Sequence, residues 1–185
     1  EYAEDHDVIV VNSAGNNDEL DPPRLSLSNL LFVANTGTGY RKSCGVDKKY
    51  RTSNYGYGVD ISAPGCKILS TISKDKFNRQ SGTSMATPVI SGALALIWSQ
   101  NPEWSKEMVV SRLLSTTDDV SKVNTEELAN KLGTGRVNLV KALNGAKQST
   151  LKITGTTREL RPSDEFFTLK LKGLADWTTL SSDTV

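Results

Sequence analysis

The chain is poor in the residues that usually carry chemistry: 185 residues hold one histidine, His6, and two cysteines, Cys44 and Cys66. So few soft ligands exclude a zinc site of the four-ligand kind. Long apolar runs are missing too. The stretch Val89 to Trp98 falls far short of the roughly 18 residues that a membrane helix needs. Charge of one sign is also lacking, since 22 Lys and Arg stand against 21 Asp and Glu for a net +1. That balance gives no electrostatic case for nucleic acid or an anionic membrane as partner. What remains is an ordinary soluble composition, 37% apolar, in a chain long enough to bury a core. The cysteine pair leaves two readings open. One disulfide would favour an oxidising compartment, whereas Cys66, following Pro64 and Gly65 beside an apolar strand, suits a buried thiol equally well.

Against this background one string stands out. Residues 81 to 88 read Ser-Gly-Thr-Ser-Met-Ala-Thr-Pro and run into the small, apolar stretch Val89 to Trp98. Gly82 permits a tight turn, Thr83 can hydrogen-bond locally, and a helix is expected to begin near Ser84. Three residues, Gly-Thr-Ser, would be no more than a helix N-cap. A hydroxyl fixed at a helix N-terminus can also act as a nucleophile, with free N–H groups and partial positive charge beside it for an oxyanion. Upstream, Val8 to Val11 is a β-branched run read as a buried parallel strand. It leads into Asn12-Ser13-Ala14-Gly15-Asn16. On its own this is a turn sequence, but an asparagine amide is a neutral N–H donor suited to a developing oxyanion.

The full eight-residue string and the Ala14-Gly15-Asn16 segment together resemble the subtilisin-like serine proteases. The resemblance implies that Ser84 is the nucleophile and Asn16 the oxyanion donor, with Ser13, Ala14 and Gly15 lining the pocket for the substrate side chain before the scissile bond. An asparagine at position 16 favours the subtilisin side over the related sedolisins, which use an aspartate there. Two further strings extend the likeness. Ser53-Asn54-Tyr55-Gly56, then Val59 to Gly65 and Ile68 to Thr71, is similar to the strand and turn that precede the family's serine loop. Gly133 to Asn138 with Val140 and Leu143 resembles the close of its catalytic domain. Between them, Asn101-Pro102 stops the serine helix, and Ser105 is expected to cap an amphipathic helix bearing Val109, Val110, Leu113 and Leu114.

The expected fold is therefore α/β: the C-terminal part of a subtilisin-like three-layer αβα parallel sheet over residues 1–147, followed by a β-rich extension over 148–185. In that extension Leu151 to Ile153 and Phe167 to Leu171 alternate apolar and polar residues, with a turn at Arg161 to Asp164. The triad order of the family is Asp, His, Ser, and neither partner of Ser84 is recognisable. His6 lies among acidic residues without the family's His-Gly-Thr-His context, so it is read as a helix-end or loop residue. The base and its orienting acid are expected on an upstream segment. Since the Val8 strand is expected inside a parallel sheet, that segment is also expected to hold the fold together.

The implied activity is serine endopeptidase chemistry on a protein or peptide substrate, in a secreted or extracytoplasmic setting. A propeptide or an inhibitor is a further partner that the resemblance allows. No cofactor is required for such chemistry. Calcium commonly stabilises the family, and Asp18, Glu19 and Asp21 could offer oxygens, although an acidic loop needs only solvent; no metal ligand is assigned. The competing class is a catalytically inactive interaction module on the same fold.

Overall fold

The computed structural model describes residues 2–26, 30–144, 152–153 and 171–172. A short helix α1 (Tyr2–Asp5) precedes three strands, β1 (Val11–Ser13), β2 (Leu31–Thr36) and β3 (Ile61–Pro64). These pair in parallel in the order β1-β2-β3, with Val11 opposite Leu31 and Val33 opposite Ile61. An antiparallel hairpin follows, β4 (Ile68–Ile72) with β5 (Lys76–Gln80), and then helices α2 (Thr83–Gln100), α3 (Lys106–Ser115) and α4 (Leu139–Asn144).

All six residues of β2 are buried, as a parallel strand covered on both faces requires. Alternation sends its side chains to two cores. Leu31 and Val33 face a cluster with Ile61 and Ala63 of β3 and with Ala86, Ile90, Ala93, Leu94 and Ile97 of α2. Phe32 and Ala34 face the other side, against Ala14, Leu25, Val59, Val120 and Leu132. On that second face the described residues are loops and single 3-10 turns, at Pro23–Ser26, Ser121–Val123 and Glu126–Leu128.

The Val8 to Val11 run is not the strand expected of it. The ladder starts at Val11, and Val8 is 51% exposed. The cause is the partner: β2 begins at Leu31, whose N–H donates to the Val10 carbonyl, and among the described residues no strand lies beside Val8, whose N–H turns back to the Ala3 carbonyl. Helix α3 forms where expected. Ser105 is its N-cap and its side chain accepts from the Met108 N–H, while Val109 and Leu113 are fully buried. The Gly133 to Asn138 segment closes the sheet beyond β3. Ser62 donates to the Gly135 carbonyl and accepts from the Val137 N–H, and Arg136 exchanges two backbone bonds with Asp118.

Cys44 and Cys66 form a disulfide, with Cα atoms 5.8 Å apart, which removes the free-thiol reading. Among the described residues no helix is long and apolar enough to cross a membrane. Two compact units are distinguished, Glu1–Ala146 and Lys147–Val185. In the second, β6 (Lys152–Ile153) pairs antiparallel with β7 (Leu171–Lys172). The rest of the alternating runs, with the turn at Arg161 to Asp164, lies outside the described residues.

Candidate active site

Ser84 occupies the second position of α2 and is exposed. Gly82 enters this helix at φ +158°, a conformation that residues with a side chain rarely adopt, its N–H donating to the Gly65 carbonyl and its carbonyl accepting from the N–H groups of Met85 and Ala86. The Ser84 N–H has no partner among the described residues, as expected of the first helical turn. Pro88 lies inside α2, four residues after Ser84. Lacking an N–H, it leaves the Ser84 carbonyl without its helical donor. Gly65 must be glycine for this turn to close, because a Cβ there would sit 2.5 Å from Asn35 Oδ1 and 2.6 Å from the Gly82 carbonyl.

The end of β1 docks on the same helix start. Asn16 Oδ1 accepts from the Thr83 N–H at 2.9 Å and from Thr83 Oγ1 at 3.2 Å. The Gly15 N–H donates to Thr83 Oγ1 at 3.3 Å. A backbone N–H can only donate, so the oxygen of the Asn16 amide must face Thr83, which turns the Nδ2 group outward. That group makes no hydrogen bond among the described residues. Two open N–H donors, Asn16 Nδ2 and the Ser84 backbone, therefore lie on segments clasped together through Thr83. Their common field favours negative charge, since both sit where the dipole of α2 is positive.

Ser13 is half-buried, while Ala14 and Gly15 are buried. The Ala14 methyl is turned into the second core, so this strand end offers its backbone outward rather than a side chain. Asn54 holds it there. Buried to 1% exposure, Asn54 donates through Nδ2 to the Ala14 carbonyl at 3.1 Å and accepts through Oδ1 from the N–H groups of Asn17 and Glu19. Gly15, at φ +109°, must lack a Cβ, which would lie 2.4 Å from Asn54 Nδ2. The positioning roles of Thr83 and Asn54 are invisible in local sequence. Their only signal is membership of the Gly-Thr-Ser and Ser-Asn-Tyr-Gly strings.

His6 is placed elsewhere. It follows α1, stacks on the Tyr2 ring at 4.1 Å, and its Nδ1 lies 2.7 Å from the Tyr2 carbonyl. This is before the start of β1, whereas Asn16 and Ser84 lie beyond its end. The acidic loop does not gather into a cation site. Asp18 pairs with Lys49, Glu19 accepts from Asn17, and Asp21 accepts from the Tyr57 N–H. Among the described residues no three His, Cys, Asp or Glu side chains converge, and no metal ligand is assigned. The carboxyls with shifted pKa values take no part in this clasp. Burial pushes the Asp60 carboxyl up, against the lowering effect of the Phe32 N–H bound to it. The Lys141 ammonium first, then Asn138, hold Asp118 below the usual carboxylate range.

Residues 1–135 match the model of the subtilase family. Among curated relatives, the cell wall-associated protease of Bacillus subtilis (strain 168) is 37% identical over 116 residues, 62% of this chain and 12% of that protein. Subtilisin BL of Lederbergia lenta is 40% identical over 72 residues, 39% of this chain and 27% of that protein. Among solved structures, the prenylagaramide maturation protease PagA superposes with a TM-score of 0.65 at 25% identity, over 76% of this chain and 51% of that one. The epidermin leader peptide processing serine protease of Staphylococcus aureus gives 0.64 at 26% identity, over 80% and 43%. The chain thus spans about a quarter or less of these curated relatives and about half of the solved chains.

Proposed function

The chain belongs to the subtilase family, and from that premise we propose that it carries the nucleophile and oxyanion half of a serine endopeptidase. The observation that carries this reading is the clasp: Thr83, next to the exposed Ser84, holds the Asn16 amide oxygen and leaves its N–H group free. In the proposed reaction Ser84 Oγ attacks a peptide carbonyl carbon while a histidine outside these 185 residues takes its proton. The carbonyl oxygen becomes negative and is met by Asn16 Nδ2 and the Ser84 N–H. The C–N bond then breaks, the histidine returns the proton to the leaving amine, and water hydrolyses the remaining ester. No cofactor enters these steps.

The base is assigned to an upstream segment because His6 is engaged by Tyr2 at the wrong end of β1. That segment also carries the acid that orients the base. The outer edge of β1 supports such a neighbour. The Val10 carbonyl and Ala14 N–H face β2, so by alternation the backbone groups of Val11 and Ser13 face away from it. In this reading the substrate is a protein or peptide, with its side chain before the scissile bond against the Ser13 to Gly15 strand end. A propeptide or inhibitor would lie along the same strand end. The disulfide supports a secreted or extracytoplasmic setting.

The test is peptide hydrolysis by the full-length protein against its Ser84→Ala variant. The reading expects turnover to fall by several orders of magnitude with unchanged urea unfolding. Equal turnover by the two proteins would refute it. No turnover by either, in a folded full-length protein, would favour the inactive interaction module.

A further inference from the structure

The strand order places β1 and β3 on opposite sides of β2. The Ser13 to Asn16 end therefore lies on one flank of the α2 N-terminus, and the continuation of β3 lies on the other. This second flank is built differently. From Cys66 the chain enters the β4–β5 hairpin, which returns through Ser81 and Gly82 to Ser84. The Cys44–Cys66 disulfide ties the loop after β2 to the foot of the hairpin. The Thr38 hydroxyl adds a bond to the Cys66 carbonyl at 3.0 Å, and the Lys67 N–H donates to Ser81 Oγ at 2.9 Å.

Between loop and hairpin runs a groove of about 340 Å³, lined by Thr38, Tyr40, Lys67, Leu69 and Arg79 among others. The Arg79 guanidinium is fixed in it, stacked 4.2 Å over the Tyr40 ring and donating through Nη1 to the Lys67 carbonyl at 3.0 Å. A guanidinium carries five N–H donors, and among the described residues the others of Arg79 have no partner. Arg41 approaches the same ring at 5.6 Å. Lys42, Lys74 and Lys76 add positive charge on these two segments, opposed by Asp75. Among the described residues none of Arg41, Lys67 or Arg79 makes an ion pair. The net +1 of the whole chain thus conceals a cationic flank, and a planar, pre-oriented guanidinium is suited to a carboxylate.

We propose that this groove is a specificity subsite that takes an acidic side chain of the substrate on the leaving-group side of the scissile bond. The charge and the fixed Arg79 carry the acidic preference. The assignment to the leaving-group side rests on the reading of Ser84 as nucleophile and of Ser13 to Gly15 as the wall for the preceding residue. A polypeptide crossing Ser84 from the β1 flank continues onto the β3 flank, where Arg79 stands.

The test uses the full-length protein with fluorescein-labelled alanine-based octapeptides bearing Glu, Gln or Lys at each of the first three positions after the intended cleavage bond. Binding to the Ser84→Ala variant is read by fluorescence anisotropy, and kcat/KM by hydrolysis with Ser84 intact. One of the three positions should favour Glu over Gln by about two- to fivefold in both readouts, the size of one well-oriented, exposed charge pair. The ratio should collapse toward unity on adding Arg79→Glu, and in 1 M salt, where screening is short-ranged. A control reversal on a different loop, Lys122→Glu, should leave it unchanged. Equal binding of Glu and Gln peptides, including no binding of either, overturns the proposal, as does a preference that survives Arg79→Glu. An Arg79-dependent preference in the Ser84→Ala protein without hydrolysis by the parent would keep the groove and refute the endopeptidase reading. Hydrolysis without the preference would do the reverse.

Discussion

Replacing Asn16 by aspartate separates the proposed oxyanion donor from the clasp that holds it. The aspartate keeps an oxygen where Oδ1 accepts from the Thr83 N–H at 2.9 Å, but it removes the Nδ2 donor and sets a negative charge where one must develop. Loss of such a donor costs about 3 kcal/mol of barrier, a magnitude measured on subtilisin, a member of the same family. At roughly 1.4 kcal/mol per decade this is about a hundredfold in kcat, and repulsion adds to it. KM should change little, because the donor acts on charge present only in the transition state. Stability should move the other way. A carboxylate bound to the first turn of α2 is favourable by about 0.3 to 1 kcal/mol, so the urea midpoint should hold or rise. Asn16→Ala, which loses the clasp as well, should match the kcat loss and also fall by about 1 kcal/mol in stability, as when a helix cap is removed. Both variants would be measured in the full-length protein by steady-state peptide hydrolysis and urea unfolding. An Asn16→Asp protein with kcat within about threefold of the parent would refute the donor role.

Other perturbations have defined outcomes. Replacing Cys44 and Cys66 by serine opens a cross-link spanning 22 residues, which should lower unfolding stability by roughly 3 kcal/mol in the chain-entropy account; no change would mean the flank is held without the bridge. Ile90→Ala should cost about 2 to 5 kcal/mol by leaving a cavity between α2 and the sheet, where Ile90 is fully buried. Asp118, with its pKa lowered by Lys141 and Asn138, binds its proton less readily when folded. Its contribution should be fully present above the ordinary aspartate range and be lost as pH falls through the depressed folded value. Asp118→Asn should therefore flatten that part of the stability–pH curve, and an unaltered curve would show that the network with Arg136 and Lys141 contributes nothing.

How much of this was legible in sequence depended on how local the cause was. Helix α3 was readable because its signals are contiguous: a proline stop, the Ser105 cap and apolar residues at helical spacing. The turn into α2 was readable because Gly82 and Thr83 are adjacent to Ser84. The Cys44–Cys66 bridge is not legible in the sequence, since pairing depends on how β2 and β3 bring their following loops together. The start of β1 is not legible for a related reason: Val8 and Ile9 have strand-forming side chains, but the ladder with β2 begins only where the Leu31 N–H meets the Val10 carbonyl. The Asn54 brace behind Gly15 and the Arg79–Tyr40 stack join residues about 40 apart, and no periodicity reports on such contacts. Sequence likeness named Asn16 and Ser84, and the fold added the orientation of the Asn16 amide.

The central claim, that Ser84 is an activated nucleophile, is tested most directly by labelling the folded full-length protein with a fluorophosphonate and locating the adduct by mass spectrometry. The account predicts a single phosphonylated residue, Ser84, formed stoichiometrically and abolished by Ser84→Ala. Peptide hydrolysis by a protein whose Ser84 remains unlabelled, or an adduct on a different serine that tracks the loss of activity, would contradict it.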